Sequence, residues 1–244
     1  MTMKLPKKIT PCPILEAVVE LRFSTSLFSE AIFGLMYDKV KDDYKKFEKL
    51  PILQLPEAVR ENDPNLKYQP HYKLMSDDYM LQIGTHVISL VHPMNSQKIY
   101  KGWGEFSKEA KTVFQKAYKL GVLGTVERLG VRYINFFDGD VFGDLTCSFE
   151  GPFKAKNRMM GVELQEGPFK VVLQIASNAN VQRAGETGIR MGSVLDIDVQ
   201  YAKKIAIDTK GDLTKIMTEG HELAKKTFFS LLKEEYLKSL EPVY

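Results

Sequence analysis

The stretch Val126–Asp138 reads VERLGVRYINFFD and sets two arginines and an asparagine inside a run that is otherwise apolar and strand-like. With a period of two it sends Arg128, Gly130, Arg132, Ile134 and Phe136 to one face and Leu129, Val131, Tyr133, Asn135 and Phe137 to the other. Two like charges on one face need compensation, and a second segment offers it. Ile14–Phe23, ILEAVVELRF, alternates with Val19, Leu21 and Phe23 on one side and Glu16, Val18, Glu20 and Arg22 on the other. If the two strands are neighbours, Glu16 and Glu20 lie within reach of Arg128 and Arg132 as an ion-pair ladder. Such a ladder either fixes strand register or leaves an arginine for a phosphate or carboxylate. The candidate ligand-binding residues are therefore Arg128, Arg132, Glu20, Arg22 and Asn135.

The remaining chain reads as a scaffold around this pair. From Leu27 the period becomes helical, with Phe28, Ala31, Ile32, Leu35, Met36, Val40, Tyr44 and Phe47 as the stripe, Ser26 or Ser29 as N-cap and Pro51 as the stop. Residues 52–65, punctuated by prolines, read as a surface loop. Leu66–Met75, Tyr79–Gly84 and His86–His92 follow as short antiparallel strands. Trp103, Phe106, Ala110, Val113, Phe114, Ala117 and Leu120 mark a second amphipathic helix, stopped by Gly121 and Gly124. Beyond the central stretch, Leu145–Phe149, Met159–Gln165, Phe169–Ser177 and Ser193–Tyr201 read as strands, and polar Asn178–Gly192 reads as a mobile loop. Asp212 is the expected cap of a last helix with Leu213, Ile216, Met217, Gly220, Ala224, Phe228 and Leu231 on its apolar stripe.

These elements predict an α+β fold, with mostly antiparallel strands in one sheet or two joined ones and about three main helices packed on one side. No flexible linker interrupts the chain, so its 244 residues are expected to form one compact unit, 1–244, with two related halves at 1–140 and 141–244 as the alternative division. A 44% hydrophobic and 27% charged composition excludes disorder as the main state. The net charge of +3, from 34 basic and 31 acidic residues, is too small to argue for nucleic acid by itself. Cys12 and Cys147 have no ligand-like spacing, which excludes a disulfide scaffold and a cysteine zinc site. The N-terminal MTMKLPKKITPCPI lacks a signal-peptide core, and no run reaches the roughly 18 apolar residues of a membrane span. The cytoplasm is the expected compartment, and no membrane partner is expected.

PILEAVVELRF, then YKGWGEFSKEA, then RLGVRYINFF about twenty residues later, together resemble a sporadically distributed bacterial family whose activity is not established. The family pattern is a proline-isoleucine before E-A-V-x-E-x-R-F, a tyrosine and tryptophan ahead of the second helix, and R-x-G-x-R-Y-I-N. Here Pro13, Ile14, Glu16, Ala17, Val18, Glu20, Arg22, Phe23, Tyr100, Trp103, Arg128, Gly130, Arg132, Tyr133, Ile134 and Asn135 match it. The resemblance implies no catalytic residues, and it implies an accessory gene carried on mobile elements or within defence loci.

Other constellations are thinner. Asp196 and Asp198 share a strand face about 6.6 Å apart, and with Glu163 they could serve a divalent metal or acid–base chemistry. A solvated or arginine-paired face accounts for them equally well. His71, His86, His92 and His221 fit no H-E-x-x-H pattern, and no G-x-S-x-G or phosphate-binding glycine loop exists. No catalytic residue and no cofactor is expected. Lysines on the first and last helices alternate with acids, the pattern of solvated faces. The sequence therefore points to a non-enzymatic binding or interaction protein whose partner is another protein or a second copy of itself. The alternatives are a nucleic-acid or nucleotide binder using the arginine face and a metal-dependent hydrolase using Asp196, Asp198 and Glu163.

Overall fold

The computed structural model describes residues 5–94, 99–147, 155–182, 187–204 and 210–244. Two long alternating segments occupy its centre: β1 (Ile14–Phe23) and β6 (Val126–Asp138). They pair antiparallel, with Val18 opposite Arg132, Glu20 opposite Gly130 and Arg22 opposite Arg128. The pairing expected from their charges is the one observed. Ala17, Val19, Leu21 and Phe23 are fully buried on one face, so the polar residues between them are carried to the other.

The sheet grows outward from this pair. On the β1 side lie β5 (Val87–Pro93), β4 (Met80–Ile83), β3 (Tyr72–Met75) and β2 (Lys46–Lys49). On the β6 side lie β9 (Ile189–Tyr201), β8 (Phe169–Gln182) and β7 (Met159–Glu166), giving, among the described residues, a single nine-stranded sheet in the order β2-β3-β4-β5-β1-β6-β9-β8-β7. Every pairing is antiparallel. One connection is used twice: a strand leaves the centre, and a meander brings its last strand back beside the first, β5 onto β1 and β9 onto β6.

Among the described residues there are five α-helices, three of them substantial: α1 (Ser29–Val40), α3 (Trp103–Lys119) and α4 (Lys210–Leu231), with short α2 (Glu57–Asn62) and α5 (Glu234–Ser239). The sheet is thus larger, and the helices more numerous, than about three helices on one side implies. The buried stripes of α1, α3 and α4 join the inward residues of the strands in one hydrophobic core, which runs from Leu74 near one end to Val171 and Leu173 near the other. No helix among the described residues is long and apolar enough to cross a membrane. Cys12 and Cys147 are unbonded to each other.

Several local expectations are corrected. The first helix ends at Val40, not at Pro51. Lys41-Asp42-Asp43 has no apolar side to bury, and beyond it Tyr44 turns inward to give its hydroxyl to Glu109 at 2.9 Å, while Lys46–Lys49 gains ladder bonds against β3. Neither serine caps this helix, whose N-cap is Phe28, because Ser29 is buried with its Oγ 3.0 Å from His71 Nδ1. Within 52–65 a short 3₁₀ segment and α2 replace the irregular loop, and only Tyr72–Met75 of the strand expected from Leu66 pairs. Leu145 makes one isolated bridge to Leu232 in place of a strand, and Ser148 and Phe149 lie outside the described residues. Asp212 sits inside the first turn of α4, where its charge complements the helix dipole.

Asn178–Gly192 is largely strand. Asn178 takes a left-handed φ of 54° at a bulge, after which the ladder resumes from Ala179 opposite Gly192 to Gln182 opposite Ile189. Residues 183–186 of that expected loop lie outside the described residues. Gly192 lets β9 close on β6, since a Cβ there would stand 2.2 Å from the Phe137 carbonyl oxygen and 2.7 Å from the Phe136 ring. Gly192→Ala should lower stability by about 1–3 kcal/mol in urea denaturation through overpacking. Gly161→Ala, at a site where a Cβ meets nothing within 4 Å, should leave the midpoint unchanged.

Candidate functional site

The alternation of β1, β6 and β9 brings most of the predicted polar residues to the sheet face opposite the helices. Arg22 and Arg128 are direct cross-strand partners, a placement that costs energy for like charges. The Glu20 carboxylate lies between them, accepting from Arg22 Nε at 2.7 Å and from Arg128 Nη1 at 2.5 Å through the same oxygen. Arg128 then donates from Nη2 to Asp198 at 2.7 Å, and Asp198 also accepts from Gln200 at 2.6 Å. Space for this comes from Gly130, because a Cβ at that position would lie 3.3 Å from Arg128 Nη2 and 3.5 Å from Asp198 Oδ1. Arg128 is 14% exposed at its side chain and Asp198 19%. Burial pushes the Asp198 carboxyl up, against the charge of Arg128 and the Gln200 hydrogen bond.

Arg132, four residues further along the same face, holds Asp196 in a two-pronged pair from Nε at 2.8 Å and Nη2 at 2.5 Å. Its side chain is 44% exposed whereas that of Asp196 is 12% exposed. Glu16 stands nearby, its carboxyl raised by burial and lowered in part by the Arg132 charge. Arg22 lies over the Tyr68 ring at 4.9 Å. Half-buried Val18 stands opposite Arg132, Ile134 opposite Asp196 and Val172 opposite Asp198, so apolar side chains alternate with these charges across the face.

Asn135 does not join this group. It is buried on the helix side, where its side-chain amide donates to the Leu195 carbonyl of β9 at 3.1 Å. Nor do the acids converge. Asp196 and Asp198 face different arginines, Glu163 is paired with Lys170 at 2.8 Å, and among the described residues no three His, Cys, Asp or Glu side chains gather as a cation site.

A second polar cluster lies on the helix side and is only partly legible in the sequence. The Tyr100 and Tyr133 hydroxyls are 3.2 Å apart, Tyr133 is hydrogen-bonded to His221 Nδ1 at 2.8 Å, and the Trp103 ring stacks on His221 at 4.2 Å between centroids. Tyr100, Trp103 and Tyr133 all belong to the family-like pattern, but His221 on α4 carries no spacing signal. Its position at the border of an apolar stripe was the one available clue. Burial, helped by Lys225, pushes the His221 imidazole down to about 4. The Tyr133 hydroxyl is driven well up by burial, so this chain holds neutral groups around neutral pH.

No protein-family model matches the chain, and no curated protein matches it.

Two predictions follow from the charges. Arg128→Ala leaves Glu20 and Asp198 without their main counter-charge and should cost about 3 kcal/mol. Arg132→Ala removes a half-exposed arginine but leaves the mostly buried Asp196 without its partner, and should cost less, about 1–2 kcal/mol. Urea denaturation of both variants reads the difference. The second concerns acid. His221 and His71 are both lowered from 6.5 to about 4 by burial, His71 also by Arg60. Between those values the unfolded chain binds a proton at each site that the folded chain refuses, so stability should fall as pH drops from about 6.5 to about 4. His221→Gln should flatten that slope by about one proton, measured from midpoints at stepped pH. An unchanged slope would show that His221 is charged in the fold.

Proposed function

We propose that the chain is a non-enzymatic binding protein, acting in the cytoplasm, whose recognition surface is the sheet face around Arg132 and whose partner is another protein. The observation that carries this is the environment of Arg132. Its guanidinium is held in a fixed orientation by Asp196 yet stays 44% exposed, with half-buried Val18 directly opposite it on β1 and half-buried Ile134 next along the same face of β6. A rigid, partly exposed arginine flanked by apolar as well as acidic side chains is a residue type that protein interfaces favour at their energetic centres. The resemblance to a sporadically distributed family is in keeping with an accessory or defence-locus role.

The charge balance argues against the phosphate backbone as ligand. On this face the cations Arg22, Arg128, Arg132 and Lys170 meet the carboxylates Glu16, Glu20, Asp196, Asp198 and Glu163, an excess of negative charge. Hydrolysis has little support, since each acid proposed for it is neutralised by its own cation.

A photo-crosslinking residue introduced at Val172 or Ile134 tests the reading in cytosolic extract of the native cell. The expected result is one discrete crosslinked protein, absent when the same group replaces Lys108 on the exposed side of α3, and lost when Arg132→Glu is added. Equal crosslinking from both faces, or salt-sensitive binding of a labelled oligonucleotide, would sink it.

A further inference from the structure

The two outer edges of the sheet are built differently. At one end β2 is four residues long, and its sequence Lys46-Phe47-Glu48-Lys49 places lysine at both ends, two devices by which natural sheets keep an edge from pairing. At the other end β7 runs for eight residues, Met159–Glu166, without lysine or proline. It follows β8 from Met159 opposite Ala176 to Glu166 opposite Phe169 with no bulge to twist it away. Among the described residues no strand pairs with its outer side.

Topology supplies a second observation. Superposing β1 on β6 through the twice-used connection carries β5 to β9, β4 to β8 and β3 to β7. Strand β3 has its outer edge covered by β2, whereas the equivalent edge of β7 has no such cover among the described residues. On the helix side β7 bears Met160, Val162 and Leu164, opposite Ile175, Leu173 and Val171. Met160 and Val162 are partly buried against the core, but Leu164 is 46% exposed.

We propose that the outer edge of β7 pairs antiparallel with β7 of a second copy of this chain, centred on Val162, so that one sheet runs through both copies. The edge is its own complement in this register. Val162 meets its counterpart, Met160 meets Leu164 on each side of the axis, and on the opposite face Gly161 meets Glu163. Arg158, just before the strand, meets Glu166. On the helix side apolar side chains thus oppose apolar ones, on the other face Met159 meets Gln165, and no like charges face each other. Shifting the centre to position 163 would set Glu163 against Glu163, and shifting it to 161 would set Glu163 against Met159. The unpaired N–H and C=O groups along the edge bond to their counterparts on the second copy, as in any antiparallel ladder. The pairing uses an edge separate from the Arg132 face and does not depend on what that face binds.

Sedimentation of the full chain over a concentration series tests the proposal. The unsubstituted chain should reach twice the monomer mass. Gly161→Glu adds a carboxylate opposite Glu163 at both symmetry-related positions and should raise the dimer dissociation constant at least about tenfold, roughly 1.4 kcal/mol. A Cβ at Gly161 meets nothing within 4 Å, so the fold of the single chain should be unchanged, read as an unaltered circular-dichroism spectrum at concentrations where both forms are monomeric. Gly161→Lys, facing the same Glu163, should keep or tighten the dimer, and adding Glu163→Lys to Gly161→Glu should restore it. A chain that stays monomeric at every concentration overturns the proposal. So does a dimer that responds alike to both charges at position 161, which would place the contact elsewhere.

Discussion

Glu20 holds together two strands that would otherwise repel. Arg22 and Arg128 stand directly opposite each other at the centre of the sheet, and a single carboxylate oxygen between them accepts from both. Because side chains alternate with a period of two, a slip of one residue between β1 and β6 would carry Ala17, Val19 and Leu21 out of the core and the charges into it. The ion pairs of Glu20, Arg128, Asp198, Arg132 and Asp196 extend this lock from β1 through β6 to β9. The strands further out follow by ordinary hairpin addition.

The central strands work on both faces. Toward the helices, Tyr133 reaches Tyr100 and His221, and Asn135 bonds the backbone of β9. Away from them, Arg128 is spent on holding register while Arg132, equally charged and two pairs along, stays open. The distinction is one of burial: the Arg128 side chain lies over Gly130 between two carboxylates and is 14% exposed, whereas Arg132 turns to Asp196 and is 44% exposed. One arginine is therefore structural, and the other carries the proposed recognition.

The family-like residues divide along the same line. Glu16, Glu20, Arg22, Arg128, Gly130 and Arg132 form or border the ion-pair network, while Tyr100, Trp103, Tyr133 and Asn135 lie on the helix side. Residues drawn from three segments of the sequence are thus divided between the two faces of the sheet. His221 completes the helix-side group from a helix almost ninety residues away, and nothing local announces it.

Residues 126–138 could be read as a strand from the sequence alone, with each side chain assigned to its face, because period-two alternation is a local property that survives into the sheet. The amphipathic α3, stopped by Gly121 with its φ of 67°, was equally legible. The pairing with β1 followed from charge, since opposite signs on two alternating segments have few other ways to meet. Tertiary structure decided what depends on distant partners. Tyr44 and Phe47 keep helical spacing but leave the helix because Glu109 and β3 offer more. Polar 178–182 and 189–192 become strand because β8 and β9 bond to each other on either side of a bulge. Which arginine is locked and which is open was likewise undecidable from spacing, for it rests on a side chain that Gly130 does not have and on two aspartates contributed by β9.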